Sequence, residues 1–490
     1  MNYLSLDVGT TCCKCQLFSE VGEILLYKAE NYSLKVEAGE TYVDVNTIQK
    51  KIMCMISYVA ERFSFASICI SSLGESFVLL DKQDNILFDP MLYIDPRGDE
   101  EAEEIADIFG KDKIFRITGT VPQSMYSVSK LLWIKKNRPE IFERADKVML
   151  IGDYLGYLLT GERVIDYALA ARTGVFNIND YRFEKSLLDR LGIPYTLFSK
   201  TMPAGSVVGE IGKDIAERLG LKSKCVLVLG SHDQVCAALG AGIIGAGDAV
   251  DGMGTVECIT TVFENKTDDY KMGEQGYPCV PYAVPGLYCT YILNYTCGLL
   301  VSWYKNNLLH GYHEGAQNFF EYAENKMTDL PTGILTLPYF GGAATPYQNI
   351  NAKGALLNLT THTTDADIYR SIMEGTAMEM RLNIENAAAY GIFVNQLTAT
   401  GGGANSKRWL RIKADIQNVP IKTLRSSEGG LCGCAMLQYV ALNAEKNFDA
   451  AKKIFVKYDE IFTPDAQMNS AYGSQYKKYK KLYEVIKEFY

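Results

Sequence analysis

The stretch "DVGTT", Asp7 to Thr11, follows a short apolar run and sets a carboxylate, a glycine and two hydroxyls at a chain reversal. A glycine in a tight turn lets backbone approach a ligand, and consecutive N–H groups there form an anion-binding hollow. Thr10 and Thr11 add hydroxyl donors. Asp7 would repel a phosphate directly, but it could hold a hydrated Mg²⁺, which keeps most of its waters and takes one or two carboxylates. An ordinary hairpin turn would use the same residues.

A second candidate is "GSHDQVCAALG", where an apolar run delivers Asp233 and Gln234 to the start of a small-residue helix. Asp233 could cap that helix. It could instead accept the proton of a hydroxyl attacking phosphorus, a reaction that needs mostly positioning and charge stabilisation. Gln234 could hold another hydroxyl. Ser231, His232 and Asp233 adjoin in sequence, but a catalytic triad is a matter of spatial geometry, not adjacency.

In "TATGGGANSKRWL" the glycines Gly401, Gly402 and Gly403 fall between a strand and a helix, leaving room for a flat ring or a phosphate at a helix N-terminus. No Gly-Lys-Ser/Thr follows, so this is not a Walker A loop, nor is it a "GxGxxG" fingerprint. A flexible loop is the plain alternative. In "SSLGESF" and "YIDPRGD", Glu75, Asp95 and Arg97 lie just past apolar strands. Carboxylates and a guanidinium in one pocket would suit a polyhydroxylated ligand, whereas surface ion pairing would need no ligand.

The cysteines of "TTCCKCQLF" read as strand packing. Alternation puts Cys13 and Cys15 on one face and Cys12 on the other, and no second pair follows at zinc spacing.

These pieces need a scaffold. The chain has 490 residues, 13 cysteines, 4 histidines and a formal net charge of −9. That length predicts at least two domains. The acidic balance argues against nucleic acid or an anionic membrane surface as partner. No run is apolar enough for a membrane span, and the start lacks a signal-peptide pattern, so a reducing cytoplasm is expected. The opening reads strand, turn, strand, turn, strand, then a helix from about Thr47 with Ile48, Ile52, Met55, Ile56, Val59 and Phe63 at helical spacing. Past residue 245 the pattern recurs in "AVDGMGTVECITTVF", where Gly254 and Thr255 align with Gly9 and Thr10. The chain therefore divides into halves 1–244 and 245–490. A long helix over "DADIYRSIMEGTAMEMRLNIENAAAYG" then leads to the glycine loop and a helix capped by Asn405 or Ser406. Small residues at Gly430, Gly433 and Ala435 would let a late helix approach its neighbour closely.

The order of these elements, with "KLLWIKKNRPEIF", "DYLGYLLTGERVIDYALAARTGVFN", "PAGSVVGEIG", "MGTVECITT" and "EGTAMEMRLNIE", resembles the FGGY carbohydrate kinases, within the wider group of sugar kinases, Hsp70 chaperones and actin. The resemblance covers nearly the whole chain. It implies an α/β fold of two ribonuclease-H-like (actin-like ATPase) domains flanking a central cleft, sugar bound mostly by the first and ATP by the second. It makes Asp233 the catalytic base and places Asp7 near Mg²⁺. It puts Thr10, Thr11, Gly254 and Thr255 on the phosphates, and Gly298, Gly401, Gly402, Gly403 and Asn405 around the nucleotide. Gly74, Glu75, Asp95, Arg97 and Gln234 fall where the family contacts its substrate. The implied activity is phosphorylation of a terminal hydroxyl on a small sugar or polyol, and the resemblance leaves room for a homodimer. Xylulokinases share the layout but usually carry Met-His at Gly74-Glu75, and glycerol kinases carry Arg-Glu. Many members have "ERTP" where this chain has "AATP" at Ala343 to Pro346. Gly74 suggests space that an arginine would fill, hence a substrate larger than glycerol, such as a ketopentose. The alternatives are a glycerol, tetritol or pentitol kinase and, in another class, a catalytically silent sugar or nucleotide sensor. A chaperone or filament protein fits less well, since "SHDQ" has no evident use there.

Overall fold

The protein is described by a computed structural model covering residues 1–37, 39–309, 319–426, 428–443 and 447–490. The first strand, Asn2–Val8, pairs antiparallel with Cys12–Ser19 and parallel with Ser67–Ser72. Ile24–Asn31 extends one edge, and Val226–Val228 and Val207–Glu210 extend the other into a six-stranded sheet. Side chains alternate across it as pleating requires. Cys13, Cys15 and Leu17 are buried in one core with Ile48, Ile52, Met55, Ile56 and Val59 of the helix Val45–Ala60. That helix begins two residues earlier than the apolar spacing suggested, because Asp44 caps it by accepting from the Thr47 amide at 3.0 Å. Phe63 falls beyond its end.

The second sheet repeats the plan. Asp248–Met253 pairs antiparallel with Glu257–Phe263 and parallel with Gln396–Thr400. Tyr288–Asn294 and Val280–Pro281 extend one edge, and Ile421–Leu424 and Tyr458–Phe462 the other, giving seven strands. Both sheets thus have a hairpin whose first strand meets, in parallel, a strand that returns after a helix. This is a two-domain mixed α/β architecture.

The halves meet through two small-residue helices, Asp233–Gly240 and Gly429–Leu442. A Cβ on Gly433 would strike the Cys236 carbonyl, and one on Gly240 would strike the Gly429 carbonyl, so only glycine permits this approach. The later helix reaches into the first sheet, where Gln438 Oε1 accepts from Ser67 Oγ at 2.7 Å. At the opposite side the halves are tied by the Cys279 amide donating to the Gly119 carbonyl at 2.7 Å and by the Tyr181 and Tyr288 hydroxyls at 3.1 Å. Among the described residues no helix is long and apolar enough to cross a membrane.

Candidate active site

Asp233 is the first residue of its helix, and its side chain does not cap it; the N-cap position is His232, without a side-chain cap bond. The carboxylate is therefore left for other work. It keeps 32% of its surface exposed, with Oδ1 3.2 Å from His232 Nε2. Burial, then the charges of Asp7 and Glu75, push its pKa up to about 7, against smaller opposing effects of the Gln234 amide and Arg172. Asp233 is also close enough to Cys258, on the second hairpin, for their charges to interact. The side chain thus lies within electrostatic reach of both hairpins.

At the first hairpin the Gly9 amide closes the turn on the Cys12 carbonyl at 3.0 Å. Thr10 and Thr11 sit at its tip, half-buried and exposed respectively. Asp7 Oδ1 is buried and has no hydrogen-bond partner. Burial raises the Asp7 pKa, and the neighbouring Ser71 hydroxyl and then Lys14 offset part of that rise. Gly430 lies against this carboxylate, where a Cβ would come within 3.2 Å of Oδ1. An unpartnered carboxylate oxygen beside a side-chain-free position fits a ligand for a hydrated cation. Among the described residues no cluster of three or more ligating side chains forms a metal cage.

Gly254, Thr255, Gly298, Gly402, Gly403 and Asn405 line one open pocket of about 470 Å³. Phe319, Phe320 and Trp409 add aromatic surface to it. The glycines do different jobs. A Cβ on Gly402 would meet nothing within 4 Å, so that position is open to a ligand. Gly298 and Gly403 instead permit close contact with Gly254 and Met253. Gly401 does not line the pocket; at φ 82° it packs on the Met253 carbonyl, 2.8 Å from where a Cβ would be. The helix Lys407–Gln417 that follows is capped by Ser406, not Asn405, which frees Asn405 to face the pocket.

Behind the second hairpin lies a buried cluster that the motifs did not reveal. Lys413 Nζ is 2.7 Å from Asp251 Oδ2 and also contacts Glu257, with all three side chains fully buried. Burial works against the Lys413 ammonium, but Asp251 and Glu257 outweigh it and raise its pKa.

In the first half, Glu75 is buried and its Oε1 accepts from Arg172 Nε at 2.5 Å. Glu75 holds φ 55°, the left-handed region, and its carbonyl accepts from Ser127 Oγ at 2.6 Å. Gly74 does not open a void. A Cβ there would lie 3.0 Å from His232 Cδ2 and 3.1 Å from Arg172 Cγ, so those side chains already fill the space that the sequence suggested was free. Gln234 is exposed in the first helical turn. Asp95 and Arg97 pair with each other, Arg97 Nη2 donating to Asp95 Oδ2 at 2.6 Å, and Arg97 Nη1 donates to Glu40 and to the Tyr42 hydroxyl. They line a groove with Leu34, Thr41 and Ile94. Tyr93, two residues before Asp95, does reach the electrostatic range of Glu75 and Asp233. Ala343 and Ala344 are buried, and Thr345 Oγ1 bonds the Leu293 backbone, so charged residues at this pair would need buried partners.

Sequence reasoning missed Arg172, His232, Tyr291 and Lys413. Arg172 stood in a quoted segment but had no spacing to Glu75 that could reveal the pair. His232 was set aside for mere adjacency, although the adjacent rings and carboxylate do touch.

Residues 2–240 match the N-terminal domain of the FGGY family of carbohydrate kinases, and residues 253–442 match its C-terminal domain. A xylulose kinase of Staphylococcus epidermidis is 27% identical over 491 aligned residues, covering 99% of this chain and 97% of the relative. The crystal structure of xylulose kinase from Rhodospirillum rubrum superposes with a TM-score of 0.92 at 23% identity, covering 100% of this chain and 99% of that one. That of gluconate kinase from Lactobacillus acidophilus gives 0.89 at 24% identity, covering 99% and 98%.

Proposed function

The chain belongs to the FGGY family of carbohydrate kinases, and from that premise we propose that it transfers the γ-phosphate of ATP to the terminal hydroxyl of a ketopentose of the xylulose class, with Asp233 as base. The observation that carries the role of Asp233 is its position: a carboxylate at a helix start, part exposed, with its pKa raised to about 7 and both hairpins within reach. A base poised near the operating pH is suited to general-base work. The proton of the acceptor hydroxyl passes to the Asp233 carboxylate as its oxygen forms a bond to the γ-phosphorus. The bond from that phosphorus to the β,γ-bridging oxygen breaks, and ADP leaves.

The division of labour follows the halves. Residues 1–244 bind the acceptor, with Gln234 and the Glu75–Arg172 pair flanking Asp233. Residues 245–490 bind the nucleotide in the pocket beside Gly402. Thr10, Thr11 and Thr255 meet the phosphates. Asp7 would hold a hydrated Mg²⁺, which would supply charge compensation for the phosphate oxygens. The unpartnered Asp7 oxygen supports this assignment.

The xylulose class rests on the similar enzymes, since Gly74 leaves no extra room. A polyol acceptor such as glycerol is the second reading. Arg172 favours it, because this residue restores the guanidinium beside Glu75 that glycerol kinases carry one position earlier. A coupled ADP-release screen over D-xylulose, other ketopentoses, ketohexoses, pentitols and glycerol separates the two. The highest kcat/KM is expected with D-xylulose or a close ketopentose. A maximum with glycerol would replace the xylulose reading, and no acceptor-dependent ADP release would overturn both.

A further inference from the structure

We propose that Tyr291 and His232 form a positioning relay that fixes the orientation of the Asp233 carboxylate, an inference that rests on the reading of Asp233 as base. Tyr291 lies on the strand Tyr288–Asn294 of the second sheet, yet its hydroxyl is 3.3 Å from His232 Nδ1 in the first half. The other ring nitrogen, Nε2, is 3.2 Å from Asp233 Oδ1. Both His232 and Tyr291 are 7% exposed, so solvent does not supply these bonds.

The geometry selects one tautomer. With the proton on Nε2, the ring sets an N–H beside Asp233 Oδ1 and accepts at Nδ1 from the tyrosine hydroxyl. With the proton on Nδ1, a lone pair would face the carboxylate oxygen and repel it. The ionised carboxylate therefore sets the tautomer, and Tyr291, donating to Nδ1, anchors the ring so that Nε2–H faces Oδ1, leaving Oδ2 for the acceptor hydroxyl.

The relay also stays uncharged. Burial and the neighbouring Arg172 hold the imidazole pKa well below its ordinary value. A cation beside Asp233 would weaken it as a base, whereas a neutral N–H orients it at little cost in basicity. The Arg172 charge is taken up by Glu75. The groups that set the titration of Asp233 are Asp7, Glu75 and Arg172, with Cys258 and Tyr93 close enough to interact.

The chain has 4 histidines, so ring resonances of protein labelled with ¹³C,¹⁵N-histidine are few, and loss of one set in His232→Ala assigns this ring. In the unsubstituted protein the expected result is the Nε2–H tautomer, unchanged between about pH 5 and 8. An Nδ1–H tautomer, or titration inside that window, overturns the relay. With the best acceptor from the screen, Tyr291→Phe should lower kcat about tenfold while leaving KM for ATP within about twofold. It should also move the acidic limb of kcat/KM to higher pH, since a weakened bond to the ionised carboxylate raises its pKa. His232→Gln, which can place an amide N–H near the Nε2 position, should recover most of the activity that His232→Leu loses. Unchanged kcat and limb in Tyr291→Phe would overturn the proposal. Turnover surviving in Asp233→Asn would remove the base reading instead, while the tautomer still reports on the relay.

Discussion

At the first hairpin Asp7 is half-buried, and its buried Oδ1 has no hydrogen-bond partner. At the second, the acids Asp251 and Glu257 are fully buried, but Lys413 is wedged between them. The backbone plan is shared, and the turns differ by one residue: Val8 pairs with Cys13 across the first, Met253 with Glu257 across the second. The repeated unit has thus been given opposite electrostatics. One copy keeps a charge available at the cleft for a cation and its phosphates. The other sets one ammonium between its two acids, with burial raising the Glu257 pKa, and presents the Gly254–Thr255 turn to a pocket. A buried charge is tolerated when paired, and it is costly when it is not.

That contrast can be broken from either side. Lys413→Met would strand two buried carboxylates and should cost about 3–5 kcal/mol of stability, read from urea denaturation. Asp7→Asn removes an unpaired, half-buried charge. It should leave stability unchanged or higher while lowering kcat about a hundredfold through loss of charge stabilisation at the phosphates. If Asp7→Asn unfolded the protein and Lys413→Met did not, the assignments of the two hairpins would be reversed.

The pocket beside the second hairpin sharpens the same contrast. Gly402→Val points into open space and should raise KM for ATP about tenfold, roughly 1.4 kcal/mol, with little change in Tm. Gly401→Val, at φ 82° and against Met253, should instead lower Tm. The smallest effect concerns protons. Because ionised Asp233 is the active form, kcat/KM should fall tenfold per unit below about pH 7, where its pKa lies. In the residual activity of Asp7→Asn that limb should move to lower pH, since one repelling carboxylate is gone.

Much of this arrangement was legible in the sequence because it is local. Period-2 alternation in "CCKCQLF" and helical spacing after Asp44 express burial directly, and the recurring Gly-Thr turns marked both hairpins. The pocket beside Gly402 was legible through glycines, although sequence could not separate Gly402, which faces open space, from Gly401, which packs on Met253. Contacts between distant segments carried no such signal. Glu75 meets Arg172 across 97 residues, and Lys413 meets Glu257 across 156. Asp95 and Arg97 have the composition of a sugar site, and their pairing with each other, two residues apart, is a contact that sequence does show.

Asp233→Asn is the decisive substitution, since it keeps the shape of the side chain and removes its basicity. Measured together, acceptor-dependent ADP release should fall about a thousandfold while calorimetric ATP affinity stays within about threefold. The folded protein binds the Asp233 proton more tightly than the unfolded chain, so the ionised group opposes folding above about pH 7, and the variant should melt higher at pH 8. Retained turnover with unchanged ATP binding would contradict the assignment of Asp233 as the base.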